Sequence, residues 1–242
     1  MNNQNIKKIV KDSYGKIAEN SGSCCSCQSK QISTEIGYSA DEMNAVPEAN
    51  LGLGCGNPTA ISQIKLGDTV LDLGSGAGFD AFLAARKVGE SGKVIGVDMT
   101  ASMIAKAKAN ALKNNFKNVE FKLGDIEDLP IEDNSIDIII SNCVINLAPD
   151  KDKVFREAYR VLKLGGKMYG SDIVLLSELT TEQRSDKTLI AGCVGGALLK
   201  EDYINKLKSA DFKVNELKSN KDISKQQYQG LPVMSLTFEA IK

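Results

Sequence analysis

The stretch Thr69-Val-Leu-Asp-Leu-Gly-Ser-Gly-Ala-Gly-Phe79 decides the fold of this chain. A short run of β-branched and aliphatic residues leads into three alternating glycines, and a helix-forming segment follows. This pattern is typical of a buried strand joined to a helix by a tight loop. Because the three glycines have no Cβ, a ligand can approach the loop backbone, and the N–H groups of the helix that follows point towards it. The stretch therefore predicts a ligand-binding loop between a strand and a helix.

The next two predicted strands end in carboxylates. The stretch Lys93-Val-Ile-Gly-Val-Asp-Met99 predicts a strand with Asp98 at its tip, where a carboxylate can accept hydrogen bonds from both hydroxyls of a ribose. The strand predicted at 119–123 is followed by Asp125, an acceptor for the exocyclic amine of an adenine, with Ile126 beside it as an apolar neighbour. Together with the glycine loop, these residues predict a nucleoside-cofactor site.

The spacing of the glycines bears on which cofactor it is. The pattern is Asp72-x-Gly74-x-Gly76-x-Gly78, whereas the dinucleotide-binding pattern is G-x-G-x-x-G. The observed spacing resembles motif I of the class I S-adenosylmethionine-dependent methyltransferases. A nicotinamide enzyme and a glycine-rich turn without a ligand are the less favoured interpretations.

Composition and charge limit the function classes. The chain has 242 residues, of which 42% are hydrophobic and 25% charged, so it can bury one good core. Its net charge of −1 gives no electrostatic sign of a nucleic-acid or anionic-membrane partner. There is no apolar run that could span a bilayer, and the polar N-terminus is unlike a secretory signal. We expect a cytoplasmic monomer.

The alternation of strands and helices predicts an α/β fold, a Rossmann-like, mostly parallel sheet with helices on both faces. The resemblance to the class I methyltransferases implies that the last strand of this sheet is antiparallel. We assign residues 1–46 to an N-terminal helix and cysteine-rich lid, and 47–242 to a methyltransferase domain. The N-terminal helix covers 3–20, interrupted at Tyr14-Gly15. The other predicted helices are 79–88, 101–114, 150–162, 178–189 and 200–210, a further helix begins at Pro58, and the later strands are 119–123, 136–141, 167–174, 212–218 and 233–241.

The aliphatic strand at 136–141 should be central, because it can be buried on both faces. Asn142 and Cys143 follow at its carboxyl end. Ligands of open α/β sheets bind at the carboxyl ends of the strands. We therefore expect Cys143 to point into the same crevice as the glycine loop.

The chain contains six cysteines and no histidine. The commonest general base is thus missing, so the chemistry must use carboxylates, lysines, thiolates, or a substrate that loses no proton. Cysteines of a cytosolic chain are ligands, nucleophiles or redox partners more often than structural disulfides. If Cys55, Cys143 and Cys193 converge, three thiolates would suit a thiophilic centre. Zinc, with a fourth N-terminal cysteine, and ordinary buried thiols are the alternatives.

Residues 50–58, 70–80, 96–100, 141–147 and 191–197 together resemble the arsenite S-adenosylmethionine methyltransferases. The resemblance implies that Cys55, Cys143 and Cys193 bind trivalent arsenic. It also implies that an N-terminal cysteine, assigned to Cys24 rather than Cys25 or Cys27, forms a thiol–disulfide relay with Cys55. The expected cofactor is S-adenosylmethionine, and the residues expected to bind it are Tyr14, Gly15, Asp72, Gly74, Gly76, Gly78, Asp98, Met99, Asp125, Ile126 and Asn142.

The resemblance agrees with the absence of histidine. Arsenic held by three thiolates keeps a lone pair, which is itself the nucleophile, so methyl transfer needs no general base. The implied partners are arsenite, methylated arsenicals and a glutathione- or thioredoxin-type reductant. We expect the sheet to take up the end of this sequence, whereas the resemblance implies a C-terminal extension in longer members. Two alternatives remain: methylation of carbon or oxygen on a quinone- or sterol-like molecule, and a non-catalytic protein that binds a metalloid or zinc.

Overall fold

The structure, a computed structural model, describes residues 1–20 and 26–242. Cys24 and Cys25 lie outside the described residues, as does the side chain of Cys27, so the relay thiol and the cysteine lid remain predictions. The assignment of 1–46 and 47–242 to separate units also stays a prediction.

The strands form one seven-stranded sheet. They are β1 Thr69–Leu73, β2 Lys93–Asp98, β3 Val119–Leu123, β4 Ile136–Asn142, β5 Leu162–Leu175, β6 Lys213–Asn220 and β7 Val233–Ile241. The order across the sheet is β3-β2-β1-β4-β5-β7-β6, and β7 is antiparallel to both of its neighbours while all other pairs are parallel. This confirms the predicted α/β fold with its antiparallel last strand, and it confirms β4 as a central strand.

Helices pack around this sheet. They are α1 Asn3–Asn20, α2 Ser26–Glu35, α3 Ala40–Ala45, α4 Pro58–Ile61, α5 Phe79–Val88, α6 Ala101–Lys113, α7 Lys151–Val161, α8 Thr181–Ser185, α9 Lys187–Ala191, α10 Lys200–Ser209 and α11 Ile223–Gln227. No helix within residues 1–20 and 26–242 has the length and apolar character to cross a membrane.

Both faces of the sheet are covered because successive side chains of a strand point in opposite directions. In β1, Leu71 packs in the cluster that contains Phe155 of α7, whereas Val70 packs in the cluster that contains Phe82 of α5. All four side chains are fully buried. Burial of such a side chain contributes roughly 1.5–3 kcal/mol, so these two layers hold the strand ends in place beneath the site.

Two predictions about helices are wrong. Helix α1 continues through Tyr14-Gly15, with Gly15 facing Ser102 of α6, where a Cβ would have a contact at 3.8 Å. The helix predicted at 178–189 is two short helices, because Asp186 caps the second one. Its Oδ1 accepts hydrogen bonds from two backbone N–H groups at the start of α9.

Strand β5 begins earlier than predicted. Leu162 follows α7 directly and pairs with Ile136 of β4 before the register shifts. Residues expected to form a loop between helix and strand are therefore part of the sheet.

Candidate functional site

The glycine loop after β1 has the backbone that its sequence predicts. Gly74, Gly76 and Gly78 have φ angles of 65°, 51° and 95°, in the left-handed region. A Cβ on Gly74 would lie 2.3 Å from the side chain of Val144, whereas one on Gly76 would have no atom within 4 Å. Gly74 thus permits close packing, and Gly76 leaves open space above the loop.

A cavity opens at the carboxyl ends of β1, β2 and β4. All the predicted cofactor residues line it except Gly15, which faces α6, and Gly78, which packs against Phe82 and Phe121. Those two glycines lie outside the cavity lining, and their place in the cofactor site stays a prediction. The residues that do line the cavity are Tyr14, Asp72, Gly74, Gly76, Asp98, Met99, Asp125, Ile126 and Asn142.

Two carboxylates form the floor of this cavity. Asp72 is buried, and its Oδ2 has no hydrogen-bond partner within the described part of the chain. Burial, together with the charges of Asp80 and Asp98, raises the pKa of Asp72 well above its usual range. Asp98 accepts hydrogen bonds from the backbone N–H groups of Gly76 at 3.0 Å and Thr100 at 2.8 Å. Because a carboxylate has about four acceptor positions, Asp98 can still accept from a ligand.

Helix α1 crosses the mouth of the cavity. Lys7 Nζ lies 2.6 Å from Asp125 Oδ2 and 2.6 Å from Glu127 Oε2. Burial disfavours the charged ammonium, but the two carboxylates outweigh it and raise the pKa of Lys7. Asp125, the expected acceptor for an adenine amine, is therefore shared with α1.

Three buried thiols meet beside the cavity. The Sγ atoms of Cys55 and Cys143 and a carboxylate oxygen of Asp172 all lie within 4.8 Å of one another. Cys193 Sγ donates a hydrogen bond to the backbone oxygen of Cys143 at 2.8 Å. The structure thus brings together three cysteines from loops that are remote in sequence.

Two of these cysteines have an unusual backbone. Cys143 and Cys193 have φ angles of 59° and 66°. Such a conformation costs a residue with a side chain roughly 1–3 kcal/mol, and it persists where the surrounding structure fixes it, often at functional sites. The backbone N–H of Cys143 donates to Ser171 of β5 at 2.8 Å, which anchors the turn.

Asn142 holds the loop that carries Cys55. Its Oδ1 accepts from the backbone N–H of Cys55 at 3.1 Å, while its Nδ2 donates to the Gly56 carbonyl at 2.9 Å and to Asp80 Oδ2 at 3.1 Å. Asn142 lines the cofactor cavity as expected, but its amide is directed at the thiol loop. It links the two halves of the site.

Burial keeps the three thiols protonated. It raises the pKa of Cys55 above the usual range. At Cys143 the contact with Cys193 acts in the opposite direction, but the contact with Cys55 and burial raise the pKa well above that range. The contact with Cys143, together with burial, also raises the pKa of Cys193 well above that range. A ligand that binds these sulfurs must therefore displace thiol protons.

The sequence analysis missed Asp172, which faces the thiols from β5. Burial raises its pKa to about 7. Its Oδ1 accepts from Asn146 Nδ2 at 2.9 Å, and its Oδ2 accepts from the Tyr203 hydroxyl at 3.2 Å. The available signal was a single carboxylate within the otherwise uncharged, fully buried second half of a strand.

Two tyrosines cover the cluster, and only Tyr14 was predicted to belong to the site. Its hydroxyl donates to the Ala191 carbonyl at 3.3 Å and lies 3.9 Å from Cys193 Sγ. Tyr228, which follows α11, was missed. Burial and the neighbouring thiols raise the pKa of both phenols well above the usual range.

A second groove adjoins the cavity and reaches Cys193. Residues of α1, α2, α9 and α11 line it, and Tyr14, Cys193 and Tyr228 are among them. Cys143 lines the cofactor cavity instead. The thiol cluster therefore lies between a cavity suited to a cofactor and a groove through which a small substrate could enter.

Comparisons with known proteins agree with this geometry. A family model described as "Methyltransferase domain" matches residues 64–211. The crystal structure of an arsenic (III) S-adenosylmethionine methyltransferase from Chlamydomonas reinhardtii is 34% identical, with a TM-score of 0.68 over 87% of this chain and 73% of that one.

Curated relatives extend the comparison. The arsenite methyltransferase of Halobacterium salinarum is 49% identical over 81% of this chain and 51% of its own length. That of Mus musculus is 37% identical over 81% of this chain and 55% of its own length. The chain thus spans about half the length of the curated relatives it matches.

The sheet order, the glycine loop and the cavity define a class I methyltransferase domain. Within that class, the chain belongs to the arsenite methyltransferase family.

The cavity fits S-adenosylmethionine, the cofactor named for the Chlamydomonas relative. Gly76 leaves room for a ligand against bare backbone. The unpartnered oxygen of Asp72 suits a ligand that carries an ammonium and a sulfonium, because a buried polar atom needs a partner. Asp98 can accept the ribose hydroxyls.

Proposed function

We propose that this chain transfers the methyl group of S-adenosylmethionine to trivalent arsenic. The observation that supports this most directly is the proximity of three free, buried thiols beside the cofactor cavity. The Sγ atoms of Cys55 and Cys143 lie within 4.8 Å of each other, Cys193 Sγ donates to the backbone oxygen of Cys143 at 2.8 Å, and Cys143 is part of the cavity wall. The alternative function of such a cluster is to bind zinc, with an oxygen atom as a further ligand. A zinc ion bound there would occupy the thiols, and the adjoining methyl-donor cavity would then have no methyl acceptor beside it.

Arsenite binding needs no base. Each protonated thiol replaces one hydroxyl of arsenous acid, the thiol proton leaves with that hydroxyl as water, and three such exchanges produce a neutral trithiolate. The raised pKa values of Cys55, Cys143 and Cys193 agree with this exchange, because the proton is supplied by the thiol itself.

Methyl transfer then depends on position. The bound cofactor supplies an activated methyl group on a positively charged sulfur. The chain holds arsenic on its three sulfurs so that the lone pair can face that methyl carbon in line, about 3–3.5 Å away. The hydrogen bonds of Asn142 to the loop of Cys55 and the anchored turn at Cys143 fix two of the sulfurs. Helix α1 and Tyr14 cover part of the site, which limits the access of water to the reacting atoms.

Transfer leaves pentavalent arsenic, which needs two electrons before it can be released or methylated again. Two protein thiols can supply them by forming a disulfide, and a glutathione- or thioredoxin-type donor can reopen it. We propose Cys24 as the thiol that pairs with Cys55. Because the reaction requires free thiols, a reducing compartment such as the cytoplasm suits it. We also propose that the protein acts as a monomer.

The test is incubation of the protein with arsenite, a thiol reductant and methyl-labelled S-adenosylmethionine, followed by chromatographic separation of the arsenic species. We expect labelled methylarsenicals. Label on an added quinone, undiminished by excess arsenite, would instead indicate a methyltransferase for carbon or oxygen. If calorimetry detected no binding of S-adenosylmethionine, the chain would be a metalloid- or zinc-binding protein.

A further inference from the structure

The carboxylate of Asp172 has no role in the reaction as described above, although it faces the thiols. Asp172 is 1% exposed, and one of its oxygens lies within 4.8 Å of the sulfurs of both Cys55 and Cys143. It is not part of the wall of the cofactor cavity. An ionisable group buried at this position is costly unless it has partners, so the position calls for a physical reason.

The carboxylate is held in place by a fixed set of donors. Oδ1 accepts from Asn146 Nδ2 at 2.9 Å and from the backbone N–H of Ile173 at 3.0 Å, and Oδ2 accepts from the Tyr203 hydroxyl at 3.2 Å. Lys151 is buried nearby, its ammonium donates to the Ala148 carbonyl at 3.0 Å, and its charge favours the ionised form of Asp172. The group is thus oriented before any ligand binds.

The proposed reaction moves a positive charge towards this carboxylate. Arsenic bound by three thiolates is neutral. When its lone pair forms the bond to the methyl carbon, the carbon–sulfur bond of the donor breaks and its electron pair returns to sulfur, which becomes neutral. Arsenic is oxidised from the trivalent to the pentavalent state and carries the positive charge, and no proton moves.

We propose that Asp172 stabilises the positive charge that develops on arsenic during methyl transfer. This inference rests on the proposed function, since it requires arsenic on the sulfurs of Cys55 and Cys143. A fixed carboxylate aimed at a developing cation in a dry site needs no reorganisation during the reaction, and such preoriented groups are among the strongest contributors to catalysis.

The test compares Asp172→Asn with Tyr203→Phe at pH 8, where a carboxyl group with a pKa of about 7 is mostly ionised. The Asn side chain has the same shape and keeps an acceptor for the Ile173 N–H and for Asn146, but it removes the charge. The Phe variant removes one hydrogen bond to the carboxylate and keeps the charge. Arsenite binding is measured by equilibrium dialysis without cofactor, cofactor binding by calorimetry, and methyl transfer in a single turnover.

We expect Asp172→Asn to bind arsenite and S-adenosylmethionine within about twofold of the wild type, because the trithiolate is neutral, and to transfer the methyl group about 100-fold more slowly. Tyr203→Phe, which keeps the charge, should lose about tenfold, the share of one hydrogen bond to a charged group. Asp172→Glu, which restores the charge, should be faster than Asp172→Asn. Asp172→Ser is the second neutral variant if Asp172→Asn does not fold.

Three results would overturn the inference. A neutral variant that binds both ligands and transfers the methyl group within about threefold of the wild-type rate removes the electrostatic role. A loss of arsenite affinity as large as the loss of rate means that Asp172 only positions the thiols. Stoichiometric zinc in the purified protein, lost in Asp172→Asn, makes it a metal ligand. A wild-type protein that does not methylate arsenite contradicts the proposed function instead, and that result is obtained before any variant is made.

Discussion

The glycine loop and the thiol cluster both depend on left-handed backbone, but they reach it in different ways. At Gly74, Gly76 and Gly78 the residues adopt positive φ without steric cost. At Cys143 and Cys193 the same region of φ is imposed on residues that have a Cβ, so the rest of the fold must offset the strain. The cofactor loop is therefore formed by one local segment with little backbone strain. The thiol site is assembled from distant segments, and two of its cysteines have a strained backbone.

The difference reflects what each site must supply. A cofactor loop presents backbone N–H groups, and a side chain would obstruct them. A thiol cluster must present sulfur atoms at one point, and glycine cannot provide them. Where a sharp turn and a side chain are both required, the strain is part of the site. The hydrogen bonds of Asn142 and of the Ser171 carbonyl hold the strained turn in place.

The largest expected effect comes from removing a sulfur. Cys143→Ser or Cys193→Ser should lower arsenite methylation by at least about 100-fold, because the arsenic is no longer held in line with the methyl group. Affinity for S-adenosylmethionine should stay within about twofold, since the glycine loop is untouched. Methylation assays and calorimetry on the same preparations check this. Full activity in either variant would contradict the assignment of that cysteine to arsenic.

Two matched substitutions separate the packing role of Gly74 from the ligand-binding role of Gly76. Gly74→Ala places a Cβ 2.3 Å from Val144 in addition to the backbone strain, so we expect the free energy of unfolding to fall by about 2–4 kcal/mol. Gly76→Ala meets no atom within 4 Å and should cost only about 1–2 kcal/mol. The new methyl group of Gly76→Ala faces the open space where the cofactor is expected. We therefore expect Gly76→Ala to lose more affinity for the cofactor than Gly74→Ala does, relative to the free energy of unfolding that each variant loses. Urea unfolding and calorimetry measure the two effects, and equal losses of stability would contradict this division.

The same contrast decides how much could be predicted from the sequence. The glycine loop and the strands around it follow from local patterns of apolar residues and glycines, and they were predicted correctly. The antiparallel direction of β7 was expected from the resemblance to the class I methyltransferases and is confirmed. Gly15 misled the prediction of α1, because the propensity cost of about 1 kcal/mol for one helical glycine is offset by packing against α6, which a local pattern does not contain.

The thiol site required contacts between distant segments. The cysteines were found because their residue type is rare and reactive. The one carboxylate in the uncharged second half of β5 marks Asp172 as unusual, but neither that pattern nor the residues around Tyr228 indicate that these side chains turn towards sulfur. Asn142 was identified as a cofactor residue from its place at a strand end. Its hydrogen bonds to the loop of Cys55 depend on how that loop crosses β4, which only the folded chain shows.

The backbone strain at Cys193 predicts a smaller effect, in which glycine makes the protein more stable than alanine does. Glycine usually makes a protein less stable than alanine does, by about 0.5–1 kcal/mol. At φ 66° the order should reverse, so Cys193→Gly should be more stable than Cys193→Ala by about 1 kcal/mol. Cys55, which is not among the residues with positive φ, is the matched control, and Cys55→Ala should be more stable than Cys55→Gly. Urea unfolding of the four variants checks this, and the same order at both positions would remove the argument from strain.

The smallest expected effect concerns the ion pair that joins α1 to Asp125 and Glu127 beside the cofactor cavity. Lys7→Met removes a partly buried bridge to Asp125 and Glu127 and should lower the free energy of unfolding by about 1 kcal/mol or less, whereas Lys8→Met, at an exposed neighbour, should have no measurable effect. The pKa of Lys7 is higher in the folded chain than its ordinary value of 10.5. The contribution of the bridge is therefore complete at neutral pH and is lost as the pH rises above 10.5 through the folded value. We expect the difference in free energy of unfolding between wild type and Lys7→Met to be smaller above pH 11 than at pH 8. A difference that stays constant would mean that Lys7 stabilises α1 through packing of its aliphatic stem and not through its charge.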